Sequence, residues 1–415
     1  MIVRWLVCTV FAFLAGLGAS SLTLADDPQQ FPHNATFSTL ITTPFGIEGL
    51  TGDRSGNLYT AGILGSPCPV WRISLMKPSL VVVGNIPAPC FPLGIAFNDV
   101  GELFVANAAV DTIFRLTPNS TTPPTATEFA TGVPGTNGIA FDRVGNLWTS
   151  DGTTGQGRVW KITGPGANCT SPPVISNCDE VFRIQPMANE VNLVNGVSGV
   201  GRDIRNLPPG TITVTPTDRG AANTDGSQAL VANGLAFNQE GDLFVADTAR
   251  GAIWKVEFDR HGNLKSKTGC DTTFTADTLC LNNIFASHAI LEGADGIALD
   301  EAGNIWVDAN ERNAVAVVNQ DRRVIEVFRN PVNSSRLRNA ANTAAGNAHI
   351  LEFPASPFLS RRVFCTSNFD QDSRDNSPST GGQIDFGGTT AGKDLGKISC
   401  ADQELEIPGL PLPIR

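Results

Sequence analysis

Short apolar runs, broken at regular places by a glycine turn, recur along this chain. The clearest are GIAFNDVGELFVAN from Gly94, GIAFDRVGNLWTSD from Gly138, GLAFNQEGDLFVAD from Gly234 and GIALDEAGNIWVDA from Gly296. A more diverged copy, GLTGDRSGNLYTAG, starts at Gly49. Each holds two strand-like runs split by a turn. In the copy from Gly138 these are Gly138–Phe141, a turn over Asp142–Gly145, and Asn146–Ser150. Aromatics recur on the second run at Tyr59, Phe104, Trp148, Phe244 and Trp306. A third run follows in several copies: Thr112–Leu116, Arg158–Ile162, Ala252–Val256 and Ala314–Val318. No helical period is sustained, and apolar alternation of this length reads as strand. Short strands, one glycine turn per unit and a period near 45 residues predict propeller blades.

The residue that opens each copy lies eight before its turn glycine: Glu48, Leu93, Asn137, Asn233 and Asp295. The first gaps are 45 and 44 residues, the next 96 and 62. A sixth blade is needed after Val318. The segment HILEFPASPFLSRRVFCTSN supplies a degenerate copy in which Phe353 matches the phenylalanine of GIAF, and that alignment puts His349 at the opening position. The long gap reads as an insertion or cap over about 168–228, rich in Pro, Asn and Gly. A seventh blade opening at Asn195–Gly196 is the alternative; its spacings of 58 and 38 and its missing turn glycine weigh against it. The polar, Gly/Ser-rich stretch 370–397 reads as an exposed loop. A strand near Phe37–Thr42 is expected to complete the last blade and close the ring, which removes free sheet edges. The expected fold is all-β: one six-bladed propeller domain over 26–415, with an inserted cap region and a disulfide-closed C-terminal loop.

At 415 residues the chain exceeds one ordinary core unless it is a repeat array. Its 42 Gly and 27 Pro fit many tight turns. A net charge of −11 argues against nucleic-acid or anionic-membrane partners, which call for a basic surface. Arg4, an apolar run from Trp5 to Leu17 and small residues up to Ala25 read as a secretory signal over 1–25. Of nine cysteines, Cys8 falls in that leader. The remaining eight fall in sequence-local pairs, and we expect Cys68–Cys90, Cys169–Cys178, Cys270–Cys280 and Cys365–Cys400, although connectivity is not fixed by sequence. Sequons stand at Asn34, Asn119, Asn168 and Asn333.

The opening residues carry the candidate chemistry. One structural position repeated around a closed ring brings its side chains to one mouth of the central channel. Glu48, Asn137, Asn233 and Asp295 all offer oxygen, and the two acids give that set a formal charge of −2. This is the ligand set of a hard cation, Ca²⁺ foremost, and it contains no soft donor. Taken singly, Asn-Gly and Asp-Gly are ordinary turn dipeptides. Turn chemistry does not explain why all four precede the same glycine by the same distance. Asp151 and Asp247, which close the second run, and Asp142 and Asp300, in the turn, read as structural caps. NFDQDSRDNSPS from Asn368 looks like a calcium loop but has Ser373 and Ser379 where glycine and glutamate belong. No nucleophile motif, P-loop or dinucleotide fingerprint is present.

IEGLTGDRSGNLY, TNGIAFDRVGNLW, ANGLAFNQEGDLF and ADGIALDEAGNIW resemble the SMP-30/gluconolactonase/LRE-like family of six-bladed propellers. The resemblance covers roughly Phe45 to Asn368 and implies a calcium-dependent lactonase. It puts metal ligands on Glu48, Asn233 and Asp295, with Asn137 near both metal and substrate. Leu93 departs from paraoxonase-type relatives, which carry a histidine there.

The leading expectation is a secreted, Ca²⁺-dependent hydrolase of a lactone or related ester, a small-molecule substrate. Asp295 activates water, Asn137 and His349 contact substrate, and Glu48, Asn137, Asn233 and Asp295 hold the ion. A non-catalytic binding propeller with a structural ion is one alternative. A strictosidine-synthase-like enzyme using Glu292 or Glu352 as base is another.

Overall fold

The computed structural model describes residue 31 and residues 35–63, 65–170, 177–185, 231–272, 274–291, 293–310, 313–329, 350–369, 396–404, 406–407 and 409. Strand β1 (Phe37–Thr42) opens this part of the chain without joining the blade that follows it. Blade one is β2 (Ile47–Gly52), β3 (Asn57–Gly62), β4 (Cys68–Ser74) and β5 (Val81–Ile86). Blade two is β6 (Pro92–Phe97), β7 (Leu103–Asn107), β8 (Thr112–Leu116) and β9 (Thr127–Thr131). Blade three is β10 (Thr136–Phe141), β11 (Leu147–Asp151), β12 (Arg158–Ile162) and β14 (Cys178–Arg183), while the short β13 (Ala167–Asn168) runs parallel to β9. Blade four is β15 (Ala232–Phe237), β16 (Leu243–Asp247), β17 (Ala252–Val256) and β18 (Ile284–Ser287). Blade five is β19 (Ala294–Leu299), β20 (Ile305–Ala309), β21 (Ala314–Val318) and β22 (Val324–Arg329). Blade six is β23 (Pro354–Ser360), β24 (Val363–Asn368) and β25 (Lys397–Asp402), completed by β1, whose Phe37 pairs with Ala401.

The innermost strands touch in order, β2 to β6, β10, β15, β19, β23 and back to β2, so the six sheets close a ring. Direct contact of β10 with β15 leaves no room for a further blade between them, which excludes the seventh-blade alternative. The ring closure by Phe37–Thr42 and all four expected disulfides are present. Two boundaries differ from expectation. The stretch read as the start of the insertion contains β14, the outer strand of blade three, and residues 186–230 lie outside the described residues. The loop read as ending at 397 stops earlier, because Lys397 is the buried first residue of β25; residues 370–395 also lie outside. So does the expected signal at 1–25. No helix of the described residues is long and apolar enough to cross a membrane.

Blades stack through the aromatics of their second strands. Tyr59 meets Phe97 of the next blade edge-on at 4.9 Å between centroids, Phe104 meets Phe141 at 5.1 Å, and Trp148 meets Phe237 at 5.6 Å. Such edge-to-face pairs bury large apolar area and add to it the attraction of a ring edge for a ring face. Middle strands are therefore covered on both faces, and β7, β11, β16, β20 and β21 are buried at every residue.

The turn residue and the aromatic vary together. Asp53, Asp142 and Asp300 each accept backbone amides in the turn and also a ring donor, from Tyr59 Oη at 3.0 Å, Trp148 Nε1 at 3.0 Å and Trp306 Nε1 at 3.1 Å. Blades two and four carry Phe104 and Phe244, which have nothing to donate, and their turns use Asn98 and Asn238 instead. A carboxylate appears where a buried donor needs an acceptor, because an unsatisfied buried N–H or O–H is costly.

Tyr59, the one tyrosine of the chain, reads this contact directly. Burial, then the Asp53 charge and hydrogen bond, push its phenol from 10.0 up to about 12, against the opposing pull of Arg72. The fold favours the neutral phenol, so this contribution to stability is present below about pH 10 and is lost as pH rises towards about 12. Ultraviolet titration should show a midpoint near 12 in native protein. Tyr59→Phe should cost about 1–2 kcal/mol in urea unfolding, with part recovered in the double variant with Asp53→Asn.

Candidate functional site

Each expected opening residue is the second residue of its innermost strand: Glu48 in β2, Leu93 in β6, Asn137 in β10, Asn233 in β15 and Asp295 in β19. In all of these strands the pairing with the next strand slips at this place, between Ile47 and Leu50, Pro92 and Ile95, Thr136 and Ile139, Ala232 and Leu235, and Ala294 and Ile297. A bulge bends the strand and re-aims the side chain beside it. The following glycine lets neighbouring strands approach. A Cβ on Gly49 would lie 2.1 Å from the Leu93 carbonyl oxygen, and one on Gly94 2.1 Å from that of Asn137. Gly138 meets the Asn233 carbonyl at 2.4 Å, Gly234 that of Asp295 at 2.4 Å, and Gly296 that of Ala355 at 2.2 Å.

That last contact identifies the sixth opening residue. It is Ala355, the second residue of β23, and it is fully buried. The alignment that put His349 there is corrected: His349 precedes β23 and lies outside the described residues. Ser356 replaces glycine in this blade, and the Ser367 hydroxyl donates to the Glu48 carbonyl across the closing seam.

Four oxygen-bearing side chains meet at this mouth. Asn137 donates a hydrogen bond to the Glu48 carboxylate, Asn233 donates to Asp295, and Glu48 feels the charge of Asp295. Asn310 Nδ2 donates to Asp295 Oδ2 at 2.9 Å, and Asn233 Nδ2 reaches Thr248 Oγ1 at 3.1 Å. Asn310 and Thr248 each stand one residue past the second strand of their blade, a position the repeat does not advertise. Leu93 and Ala355 leave the other two sectors apolar.

The electrostatics are those of two acids held without a counter-charge. Burial pushes the Glu48 carboxyl well up, the charge of Asp295 pushes it further, and the Asn137 hydrogen bond opposes both. Burial pushes Asp295 to about 7, against hydrogen bonds from Asn310 and Asn233. Neither has a Lys, Arg or His partner among the described residues. Contrast Asp151 with Arg158 at 2.9 Å, and Asp247 with Arg250 at 3.1 Å and Trp254 Nε1 at 2.9 Å. Those two acids are structural, as expected. An all-oxygen set with two uncompensated acids fits a hard divalent cation. Among the described residues no three Asp, Glu, His or Cys side chains converge as metal ligands, so the set relies on its amides.

Other candidates fall away. Glu352 is tied to Lys397 Nζ at 2.9 Å in a buried ion pair, so it is not a free base, and Glu292 lies outside the described residues. Asn368 is buried in β24 and accepts the Glu352 amide at 2.8 Å, so it belongs to the sheet rather than to a calcium loop. A cavity of about 740 Å³ opens at the other end of the channel, lined by Ile95, Ile139, Leu235, Ile297 and Phe358 among others. It holds none of the opening residues; Asp53, Tyr59, Asp99 and Arg361 line it beside the apolar side chains.

Residues 193–338 match the family model described as the SMP-30/gluconolactonase/LRE-like region. That span contains Asn233 and Asp295 but neither Glu48 nor Asn137. The calcium-binding protein regucalcin of Agrobacterium tumefaciens is 16% identical, with 93% of this chain and 100% of that one covered at TM-score 0.54. The PQQ-bound aldose sugar dehydrogenase of Streptomyces coelicolor is 13% identical, covering 89% and 100% at TM-score 0.50. A gluconolactonase of Xanthomonas campestris is 14% identical, covering 90% and 95% at TM-score 0.49. No curated protein matches the chain. The family match bears out the resemblance read from the repeats. At these identities the regucalcin and aldose sugar dehydrogenase structures share the fold, and the fold alone does not carry an activity.

Both acids have folded-state pKa values above their unfolded ones, so they favour the fold most at low pH. For Asp295 this contribution is present below about pH 4 and is lost as pH rises through about 7. In the absence of divalent cations, melting temperature should fall between about pH 5 and pH 8. Asp295→Asn should flatten much of that fall; an equally steep fall in the variant would show that Asp295 is not buried as described.

Proposed function

On a six-bladed propeller carrying an SMP-30/gluconolactonase/LRE-like region, we propose a divalent-cation-dependent hydrolase of a lactone or related ester. The observation that carries this reading is the meeting of buried Asp295 and half-buried Glu48, with no cationic side chain beside them among the described residues, with the amides of Asn137 and Asn233. Those four residues would hold the ion, and Ca²⁺ suits an oxygen-only set best. When bound, such an ion supplies Lewis-acid polarisation of an ester carbonyl.

The chain's own residues do the rest. Asp295, whose carboxyl burial raises in the cation-free site and a bound cation would lower again, accepts the proton of the attacking water as a carboxylate. Asn310 and Asn233 fix the direction of that carboxylate by donating to it. Asn137 holds Glu48 and orients the substrate or a water. Four disulfides suit an oxidising compartment, in keeping with a secreted enzyme. No role is assigned to His349, since Ala355 holds the position that suggested one.

Purified protein should hydrolyse members of a lactone panel, lose that activity in EDTA and regain it with Ca²⁺. Asp295→Ala should lower kcat by about a hundredfold or more, the usual yield of a positioned general base. Glu48→Gln should chiefly weaken the cation. Rates unchanged by EDTA would remove the cation from the reaction, and rates unchanged in Asp295→Ala would remove the base.

A further inference from the structure

Asp308 has a counterpart in every blade. The residue one before the end of the second strand is Ala61, Ala106, Ser150, Ala246, Asp308 and Ser367 in turn, fixed by the pairings Ile47↔Gly62, Pro92↔Asn107, Thr136↔Asp151, Ala232↔Asp247, Ala294↔Ala309 and Pro354↔Asn368. Where this residue has a hydroxyl, it stitches the seam to the next blade. Ser150 Oγ accepts from the Gly138 amide at 2.9 Å and donates to the Asn233 carbonyl at 2.6 Å. Ser367 Oγ accepts from the Ser356 amide at 3.1 Å and donates to the Glu48 carbonyl.

In blade five the same place holds a carboxyl. Asp308 is fully buried and faces blade six, where Thr366 Oγ1 lies 2.6 Å from its Oδ2. The same Thr366 oxygen lies 2.9 Å from the Ser367 carbonyl. Threonine has one proton for two acceptors. Thr366 can share its proton between them, or both become full two-centre hydrogen bonds when Asp308 donates to Thr366 and Thr366 donates to Ser367. Asp308 Oδ1 has no hydrogen-bond partner among the described residues. Asp151 and Asp247, equally buried, each have an arginine and further donors. A charged carboxylate with at most one hydrogen bond in such a place is not sustainable.

We propose that Asp308 is a positioning residue that works as a neutral carboxylic acid: it grips Thr366 across the seam between blades five and six and thereby holds Ser367 and the Glu48 backbone in place. Its effect on the cation rests on the function proposed above; its neutrality does not. Burial holds its carboxyl well above the ordinary range, against the Thr366 hydrogen bond and with a further push from the charge of Asp295. Asp295 on β19 is the charged group acting on it, β24 offers only the Thr366 hydroxyl, and β21 faces it with Val315. Sequence shows the same oddity: FVAN, WTSD and FVAD close their strands with Asn or Asp, whereas WVDA has its acid one residue earlier. A one-residue shift moves a side chain to the other face of the sheet.

Two measurements test this on the full chain. Calorimetric Ca²⁺ titrations should show affinity reduced roughly tenfold or more in Asp308→Leu and in Thr366→Val, in line with losses seen when ligand-supporting residues are removed. Asp308→Asn should recover most of the loss, since an amide can still donate to Thr366. An Asp308→Asn variant as weak as Asp308→Leu would overturn the proposal in favour of a charged ligand. Wild-type affinity in both Asp308→Leu and Thr366→Val would reduce Asp308 to packing. The second measurement needs no metal: the infrared difference between wild type and Asp308→Asn, about one unit above the Asp295 midpoint of about 7, should show a protonated-carboxyl stretch. Its absence would overturn the proposal. If wild type binds no Ca²⁺, the hydrolase reading fails, and the infrared band alone decides whether Asp308 is the neutral acid.

Discussion

The ring depends on how closely the innermost strands approach one another. Each opening residue sends its carbonyl oxygen into the space a side chain would need on the preceding blade, from Leu93 against Gly49 round to Ala355 against Gly296. A methyl group at any of these glycines would stand 2.1–2.4 Å from a backbone oxygen, and backbone has little freedom to withdraw. The same contact that packs the strands also brings the residue before each glycine to the channel mouth. Packing and chemistry therefore share one pair of positions per blade, which is why a repeat selected for tight stacking can present a ligand set.

What distinguishes that mouth is the imbalance between burial and charge. At Asp151, Asp247 and Glu352 the protein answers buried acids with an arginine, a lysine or a ring donor. At Glu48 and Asp295 it supplies only amides. Buried charges are tolerated when paired or bound to metal, and otherwise they take up protons. The raised carboxyls describe the second state; a hard cation would restore the first. Without such a cation, both carboxyls oppose the fold as pH rises towards neutral.

Much of this was legible in the chain. Glu48, Asn137, Asn233 and Asp295 were found because five turns share one length, so that counting back from a glycine lands on equivalent atoms. Blade six defeated the count for a physical reason. Its first two strands turn tightly at Arg361, which itself takes a positive φ of 54°, so the five-residue glycine turn is gone and Ala355 cannot be found from it. With Ser356 and Pro357 in place of Gly-Ile, the aromatic became the only anchor, and Phe353 was the wrong one. Asn310 and Thr248 escaped notice because they sit just beyond a strand end, where no periodicity holds. The co-variation of Asp or Asn in the turn with tryptophan, tyrosine or phenylalanine was present in the letters, but its meaning needed the hydrogen bonds.

β1 sits beside β25 in the last sheet, so the first of the described strands waits for the last. A chain emerging from the ribosome or a translocation pore in order can stack five blades but cannot seal them until nearly all of it is out. Until then, the outer strand of blade six has no partner, and the Ser367 tether to Glu48 does not exist. The mouth formed by Glu48, Asn137, Asn233 and Asp295 is thus complete only with the finished circle, so that binding of any ligand there would report completed biogenesis.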